Sequence, residues 1–188
     1  MLKITPLSLP EVLLVEPAVF EDRRGFFMET YHRTTYAAAG LSRVFVQDNL
    51  TRSVLGTLRG LHYQWPHAQA KLVQVVQGEI FDAVVDVRRG SPRFGQWTGI
   101  RLSDREPRQL FVPEGFAHGF CVLSETALVV YKCSDFYAPE SEGGVLWSDP
   151  DLRIAWPVRD PILSDKDAGL IRLRDVPAGR LPEYAARR

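Results

Sequence analysis

Lys71-Leu72-Val73-Gln74-Val75-Val76-Gln77-Gly78-Glu79-Ile80-Phe81-Asp82-Ala83-Val84-Val85-Asp86-Val87 holds two short valine-rich runs, Lys71 to Gln77 and Ile80 to Val87, on either side of Gly78-Glu79. Apolar residues fall on both parities of each run. A strand with one face in water alternates apolar and polar, whereas a strand packed on both faces need not. The pattern therefore predicts strands inside a sandwich or small barrel. Gly78-Glu79 between them predicts a hairpin turn.

The same signal recurs outward from this stretch. Val12 to Val15, Thr98 to Leu102, Gln109 to Val112, Phe116 to Leu123 and Ala127 to Cys133 are short apolar runs separated by Gly, Pro, Asp and Ser. Helical signal is sparse. Thr34 to Ala39, ended by Gly40, predicts one short helix, and Ser164-Asp165-Lys166-Asp167 predicts the start of another. No repeat or linker divides the chain, and the segment after Asp149, richer in Pro and Asp, reads as an irregular C-terminal cover. The expectation is one all-β domain over residues 1–188, a jelly-roll barrel with short peripheral helices. Such barrels hold ligands in their interior.

Charge narrows the partners. The 188 residues carry 23 basic and 23 acidic side chains, for a net charge of zero. General binding of nucleic acid or of an anionic membrane needs a broad basic surface, so neither is expected. A small anionic ligand needs only two or three well-placed arginines. Met1-Leu2-Lys3-Ile4-Thr5-Pro6 does not begin a signal peptide, and no apolar run approaches the length of a membrane span. The cytoplasm is the expected location. Cys121 and Cys133 lie in two runs which, paired as a hairpin around Ser124-Glu125-Thr126, would hold the sulfurs far apart. Free buried thiols are expected rather than a disulfide.

Three segments are more polar than a barrel core requires: Arg59-Gly60-Leu61-His62-Tyr63-Gln64 with Lys71 beyond it, Pro113-Glu114-Gly115-Phe116-Ala117-His118-Gly119-Phe120, and Tyr131-Lys132. Gly56 with His62 six residues on, and Pro113-x-Gly115-x-x-His118, resemble fragments of the two cupin motifs. Metal-holding cupins carry His-x-His and a following Glu in the first motif. Here Gln64 replaces the second His, and Ala68-Gln69 stand where the Glu would be. Gln is a poor transition-metal ligand, so a cupin-type barrel without a metal is expected.

Acid and base work then falls to side chains. His62 is the natural base, because imidazole titrates near neutrality. It would need a carboxylate to hold its tautomer. Tyr131 can supply the acid, and the charge of Lys71 can stabilise an enolate oxygen. Each residue also has a plainer reading. A lone His in an apolar strand is often a hydrogen-bonded core residue, and a Tyr often bonds backbone. Lys71 could snorkel, Asp167 could serve only the capping box of Ser164, and Arg23-Arg24 could be a solvated turn.

The chain also resembles the dTDP-4-dehydrorhamnose 3,5-epimerases over nearly its whole length. The resemblance rests on Glu21-Asp22-Arg23-Arg24-Gly25-Phe26-Phe27, Gln47-Asp48-Asn49, Leu58-Arg59-Gly60-Leu61-His62-Tyr63-Gln64 and Ala68-Gln69-Ala70-Lys71. It continues through Gly90-Ser91-Pro92-Arg93-Phe94-Gly95, Val112 to Phe120, Tyr131-Lys132, Ala138 to Glu142, and Leu163-Ser164-Asp165-Lys166-Asp167-Ala168. It implies a cupin jelly roll acting as a homodimer in dTDP-rhamnose biosynthesis, without metal or organic cofactor. It implies His62 as general base oriented by Asp167, Tyr131 as general acid, and Lys71 at the 4-keto oxygen. Arg24, Glu29, Gln47, Asp48, Asn49, Arg59, His118, Glu142 and Lys166 would contact a dTDP-linked 4-keto-6-deoxy sugar. The implied reaction is epimerisation of dTDP-4-dehydro-6-deoxy-D-glucose at C3 and C5. A 3-only or 5-only epimerase, a metal-dependent cupin and a non-catalytic sugar-binding jelly roll remain alternatives.

One expectation is geometric. In a regular strand Arg59 and His62 face opposite sides of the sheet. Both reach one pocket only if Gly60 marks a twist or bulge.

Overall fold

The computed structural model describes residues 1–185. Among them the chain forms, in order, β1 (Lys3–Pro6), β2 (Leu13–Glu16), β3 (Val19–Asp22), β4 (Gly25–Met28), α1 (Arg33–Ala38), β5 (Gln47–Val54), β6 (Leu58–Gln64) and β7 (Lys71–Gln77). Then follow β8 (Glu79–Asp86), β9 (Trp97–Ser103), β10 (Gln109–Val112), β11 (Phe116–Val122), β12 (Thr126–Cys133), β13 (Glu142–Gly144) and α2 (Asp165–Ala168). A six-stranded sheet runs β1-β2-β10-β7-β12-β5, and a five-stranded sheet runs β13-β6-β11-β8-β9. β3 and β4 form a separate two-stranded sheet. All of these pairings are antiparallel.

The two large sheets face each other across a core that takes Val73, Val75 and Val129 from one sheet and Ile80, Val84 and Phe120 from the other. Residues of β8 and β11 are buried on both parities because the five-stranded sheet is covered twice. Its second face carries Leu61, Val85 and Ala117, and the segment after residue 150 lays Leu152, Leu173 and Leu181 over them. That segment is otherwise short turns and α2, as its Pro-rich sequence implied. No helix of the described residues is long and apolar enough to cross a membrane.

Two expected hairpins are not formed. β7 pairs with β10 and β12, whereas β8 pairs with β11 and β9. Gly78 therefore carries the chain from one sheet to the other. Its φ is +84°, and a Cβ there would lie 2.2 Å from the Thr126 carbonyl oxygen. The crossing is held from outside the strands: Gly78 N–H donates to Asp104 Oδ2 (2.8 Å) and Glu79 N–H to Ser124 Oγ (2.8 Å). β11 and β12 likewise lie in different sheets, so Ser124-Glu125-Thr126 is a second crossing. Cys121 pairs with Leu58 and Phe81, and Cys133 with Gln47 and Lys71. The thiols are free and buried as expected, although the hairpin premise fails.

The two helices lie within a residue of their expected starts. His32 caps α1 by accepting from Thr35 N–H, and Ser164 Oγ accepts from Asp167 N–H (3.1 Å) at the start of α2. β5 was not marked by apolar content. Its sequence is largely polar because it edges the six-stranded sheet, pairing only with β12.

Candidate active site

One end of the barrel opens into a cavity of about 420 Å³ between the two sheets. β6 and β11 of the five-stranded sheet contribute Arg59, His62 and His118. β5, β7 and β12 of the six-stranded sheet contribute Gln47, Asn49, Lys71 and Tyr131. The loop after β12, together with β13 and α2, closes the rim with Tyr137, Glu142, Lys166 and Asp167.

Arg59 and His62 share this cavity because β6 is bulged. His118 pairs with His62 and Phe120 with Arg59, so Gly60 and Leu61 stand opposite the single residue Gly119. The extra residue reverses the parity and aims both side chains into the cavity. Gly60 has φ +125°, and a Cβ on it would lie 2.5 Å from Gly119 Cα. Gly60→Ala therefore combines left-handed backbone strain with backbone overlap, each costing roughly 1–3 kcal/mol. Gly56 has φ +77°, but a Cβ on it would meet nothing within 4 Å. Thermal unfolding is expected to show Gly60→Ala destabilised by about 3 kcal/mol and Gly56→Ala by about 1 kcal/mol. Equal losses would mean that the Gly60–Gly119 approach is unimportant.

His62 Nε2 lies 2.6 Å from Asp167 Oδ1, with the histidine side chain 25% exposed and the aspartate 5%. Burial alone would push the Asp167 pKa up. The hydrogen bond and charge of His62, with further bonds from Gly60 and Ser164, outweigh it and hold Asp167 below its ordinary value. An ionised carboxylate can only accept, so His62 Nε2 carries the hydrogen of that bond and Nδ1 is the ring nitrogen left to gain or lose a proton. The geometry thus makes a base with a fixed tautomer.

Across the cavity, burial raises the pKa of Tyr131, and the neighbouring Cys133 adds to the effect. The phenol therefore keeps its proton at neutral pH and is available as an acid. Lys71 Nζ sits 6.0 Å from the centre of the Tyr131 ring. Burial lowers the Lys71 pKa, against the opposing influence of Cys133, then Asp82 and Glu142. At the rim Glu142 accepts from Lys166 Nζ (2.6 Å) and from the Tyr137 hydroxyl (2.9 Å). Arg59 Nε donates to Ser53 Oγ (3.0 Å), which leaves the rest of the guanidinium for a ligand.

Gln64, at the position of the missing metal histidine, spends its amide on backbone. It donates to the carbonyls of His67 and Phe136 and accepts from Ala138 N–H (3.0 Å). Among the described residues no three His, Cys, Asp or Glu side chains are grouped to hold a metal ion.

Three expected contacts do not join the cavity of their own chain. Asp48 lies between Gln47 and Asn49 on β5, so the period of two turns it outward, where it accepts from Lys132 Nζ at 2.9 Å. Arg24 stands at the tip of the β3–β4 sheet, its side chain 84% exposed and paired with Asp22. Glu29, just beyond β4, is also exposed. Conversely, Tyr137 and Asp82 were not singled out from sequence. Asp82 had a signal, as a charged residue inside a run otherwise apolar on both parities.

A jelly roll whose cavity sets a histidine–carboxylate pair against a half-buried phenol and a half-buried amine holds the groups that acid–base chemistry on a carbon acid needs. Comparison with known proteins defines that class further. The family model for dTDP-4-dehydrorhamnose 3,5-epimerase matches residues 6–175. A dTDP-4-dehydrorhamnose 3,5-epimerase of Shigella flexneri is 53% identical over 168 residues, which cover 88% of this chain and 93% of that protein. A dTDP-4-dehydrorhamnose 3-epimerase of Streptomyces niveus is 41% identical, covering 98% and 90%. The crystal structure of a 3,5-epimerase from Legionella pneumophila, in complex with dTDP-4-keto-L-rhamnose, superposes with a TM-score of 0.95. It is 47% identical and covers 99% of this chain and 100% of that one. The chain belongs to the dTDP-4-dehydrorhamnose 3,5-epimerase family, and its fold is the cupin-like jelly roll of that family.

Proposed function

We propose that the cavity binds dTDP-4-dehydro-6-deoxy-D-glucose and inverts it at C3 and C5, with His62 as the base and Tyr131 as the acid. The observation that carries this reading is the placement of the His62–Asp167 pair and Tyr131 on opposing sheets around one cavity. The C–H bonds at C3 and C5 are acidic because both carbons adjoin the C4 carbonyl. Nδ1 of His62 removes a proton from one face, and the charge of Lys71 stabilises the oxygen of the enolate. Tyr131 returns a proton to the other face, so the centre inverts. The two acid–base groups supply about 10²–10⁴-fold each, and positioning with enolate stabilisation supplies the remainder.

The free edge of the Arg59 guanidinium suits the diphosphate. Gln47, Asn49, His118, Glu142 and Lys166 surround the rest of the nucleotide-sugar. The whole chain acts as one catalytic domain, since the segment after residue 150 supplies Asp167 and Lys166.

A homodimer is part of the same reading. The β3–β4 sheet exposes Phe20, Phe26 and Phe27 at 61–69%. Leu50, Val54 and Val76 are exposed on the strands of the six-stranded sheet. Large apolar side chains exposed in this number suit a surface that a second copy covers. In such a dimer Arg24 and Glu29 would serve the cavity of the other copy.

Proton NMR of the substrate with this protein in D₂O tests the reaction. Deuterium is expected at both C3 and C5. Label at one carbon alone would reduce the activity to a single epimerisation, and no label would leave a sugar-binding protein.

A further inference from the structure

Behind the cavity wall lies a second histidine–carboxylate pair. His118 Nε2 is 2.9 Å from Asp82 Oδ2, and the Asp82 side chain is wholly buried. Its other oxygen, Oδ1, is buried without a hydrogen-bond partner among the described residues. An unsatisfied buried carboxylate oxygen is costly, and a hydrophobic residue would fill the site at less expense. β8 is otherwise apolar over Ile80 to Val85, so packing does not call for Asp82. Something in the cavity does.

We propose that Asp82 is a positioning residue for the epimerisation: its carboxylate fixes the ring of His118 and sets a negative charge behind the cavity that Lys71 lines. The inference rests on the role given above to Lys71. His118 and Lys71 both line the cavity, and Asp82 reaches both from behind it. Lys132 and Lys166 are each paired with a carboxylate, Asp48 and Glu142, whereas Lys71 among the described residues is not. A buried ammonium without compensating charge tends to lose its proton, and neutral Lys71 would not stabilise an enolate. With Asp82 accepting from Nε2–H, Nδ1 is the His118 nitrogen left for the ligand, and in the neutral ring it can accept from a sugar hydroxyl.

Other ionisable groups also surround Lys71: Tyr131 and Cys133 on β12, Glu142 on β13, Lys166 on α2, and His62 with Arg59 on β6. Glu142 is already paired with Lys166 and Tyr137. Of the two carboxylates that act on Lys71, Asp82 is the one not paired with a lysine.

The test is Asp82→Asn, which keeps the volume and removes the charge. A nearby carboxylate favours the charged lysine, so its loss lets Lys71 deprotonate at lower pH. The alkaline limb of the kcat profile is expected to move down by roughly one pH unit, a typical effect of one nearby charge. At neutral pH kcat is expected to fall at least tenfold, with KM within about threefold, since the lost interaction belongs to the transition state. An unmoved limb with kcat within threefold of wild type overturns the proposal, even if the variant melts earlier. Should the variant not fold, ¹⁵N NMR of the wild-type histidines decides. His118 is expected to carry its hydrogen on Nε2, and an Nδ1–H tautomer overturns the proposal. Wild type that exchanges no solvent deuterium would sink the epimerase reading instead, and the tautomer would still decide the place of Asp82.

Discussion

Replacing His62 with alanine is expected to lower kcat for epimerisation by about 10³–10⁴-fold and to remove solvent exchange at C3 and C5, with the fold intact. No other side chain replaces it. The neighbouring His118 has its Nε2 engaged by Asp82, and it sits beside His62 across paired strands rather than at the same point of the cavity. The fold survives because Asp167 does not depend on His62 alone. It keeps its own N–H bond to Ser164 and the bond from the Gly60 backbone. Losing one charge-assisted hydrogen bond at a partly exposed residue costs roughly 1–3 kcal/mol. Affinity for dTDP is expected to stay within about threefold, because the Arg59–Ser53 arm does not involve His62. Exchange persisting in this variant would transfer the base to another group. Full activity would remove catalysis from the cavity altogether.

Legibility followed strand parity. The double-sided apolar pattern of Lys71 to Val87 gave the right number of strands and their two covered faces. It misplaced their joint because Gly78-Glu79 fits a hairpin as well as a crossing. What separates them is non-local: the Asp104 carboxylate and the Ser124 hydroxyl hold the crossing from other loops. β5 escaped notice because an edge strand with polar residues facing a cavity carries little apolar periodicity. Within the site, Gly60 between Arg59 and His62 was readable, since two residues of opposite parity that must share a pocket require an extra residue. Asp48 lies outside the cavity for the same reason in reverse. A motif of three adjacent residues, Gln47-Asp48-Asn49, cannot send all three side chains to one face of a regular strand. Arg24 and Glu29 raise a different difficulty. The resemblance links them to the ligand, yet they do not line the chain's own cavity.

Removing only the hydroxyl of Tyr131 is expected to separate proton loss from inversion. Tyr131→Phe keeps the ring on β12 and its place beside Lys71, so the cavity shape and the enolate-stabilising charge are retained. His62 remains on the opposing sheet with its tautomer fixed by Asp167. The base can still take a proton, trade it for deuterium with solvent and return deuterium to the same face. Recovered substrate is therefore expected to carry label with its configuration unchanged. Formation of the inverted product is expected to fall about 10²–10⁴-fold, the usual contribution of one general acid. Return of label to unreacted substrate is expected to fall less than tenfold. NMR in D₂O reads both quantities from one sample. If exchange and inversion fall together, the hydroxyl acts before or during proton removal, as a donor to the developing enolate. If neither falls, water delivers the second proton and Tyr131 is only a wall of the cavity. Retained exchange with lost inversion alone requires two groups on opposite faces of the sugar, the one feature that an epimerase needs and a sugar-binding barrel does not.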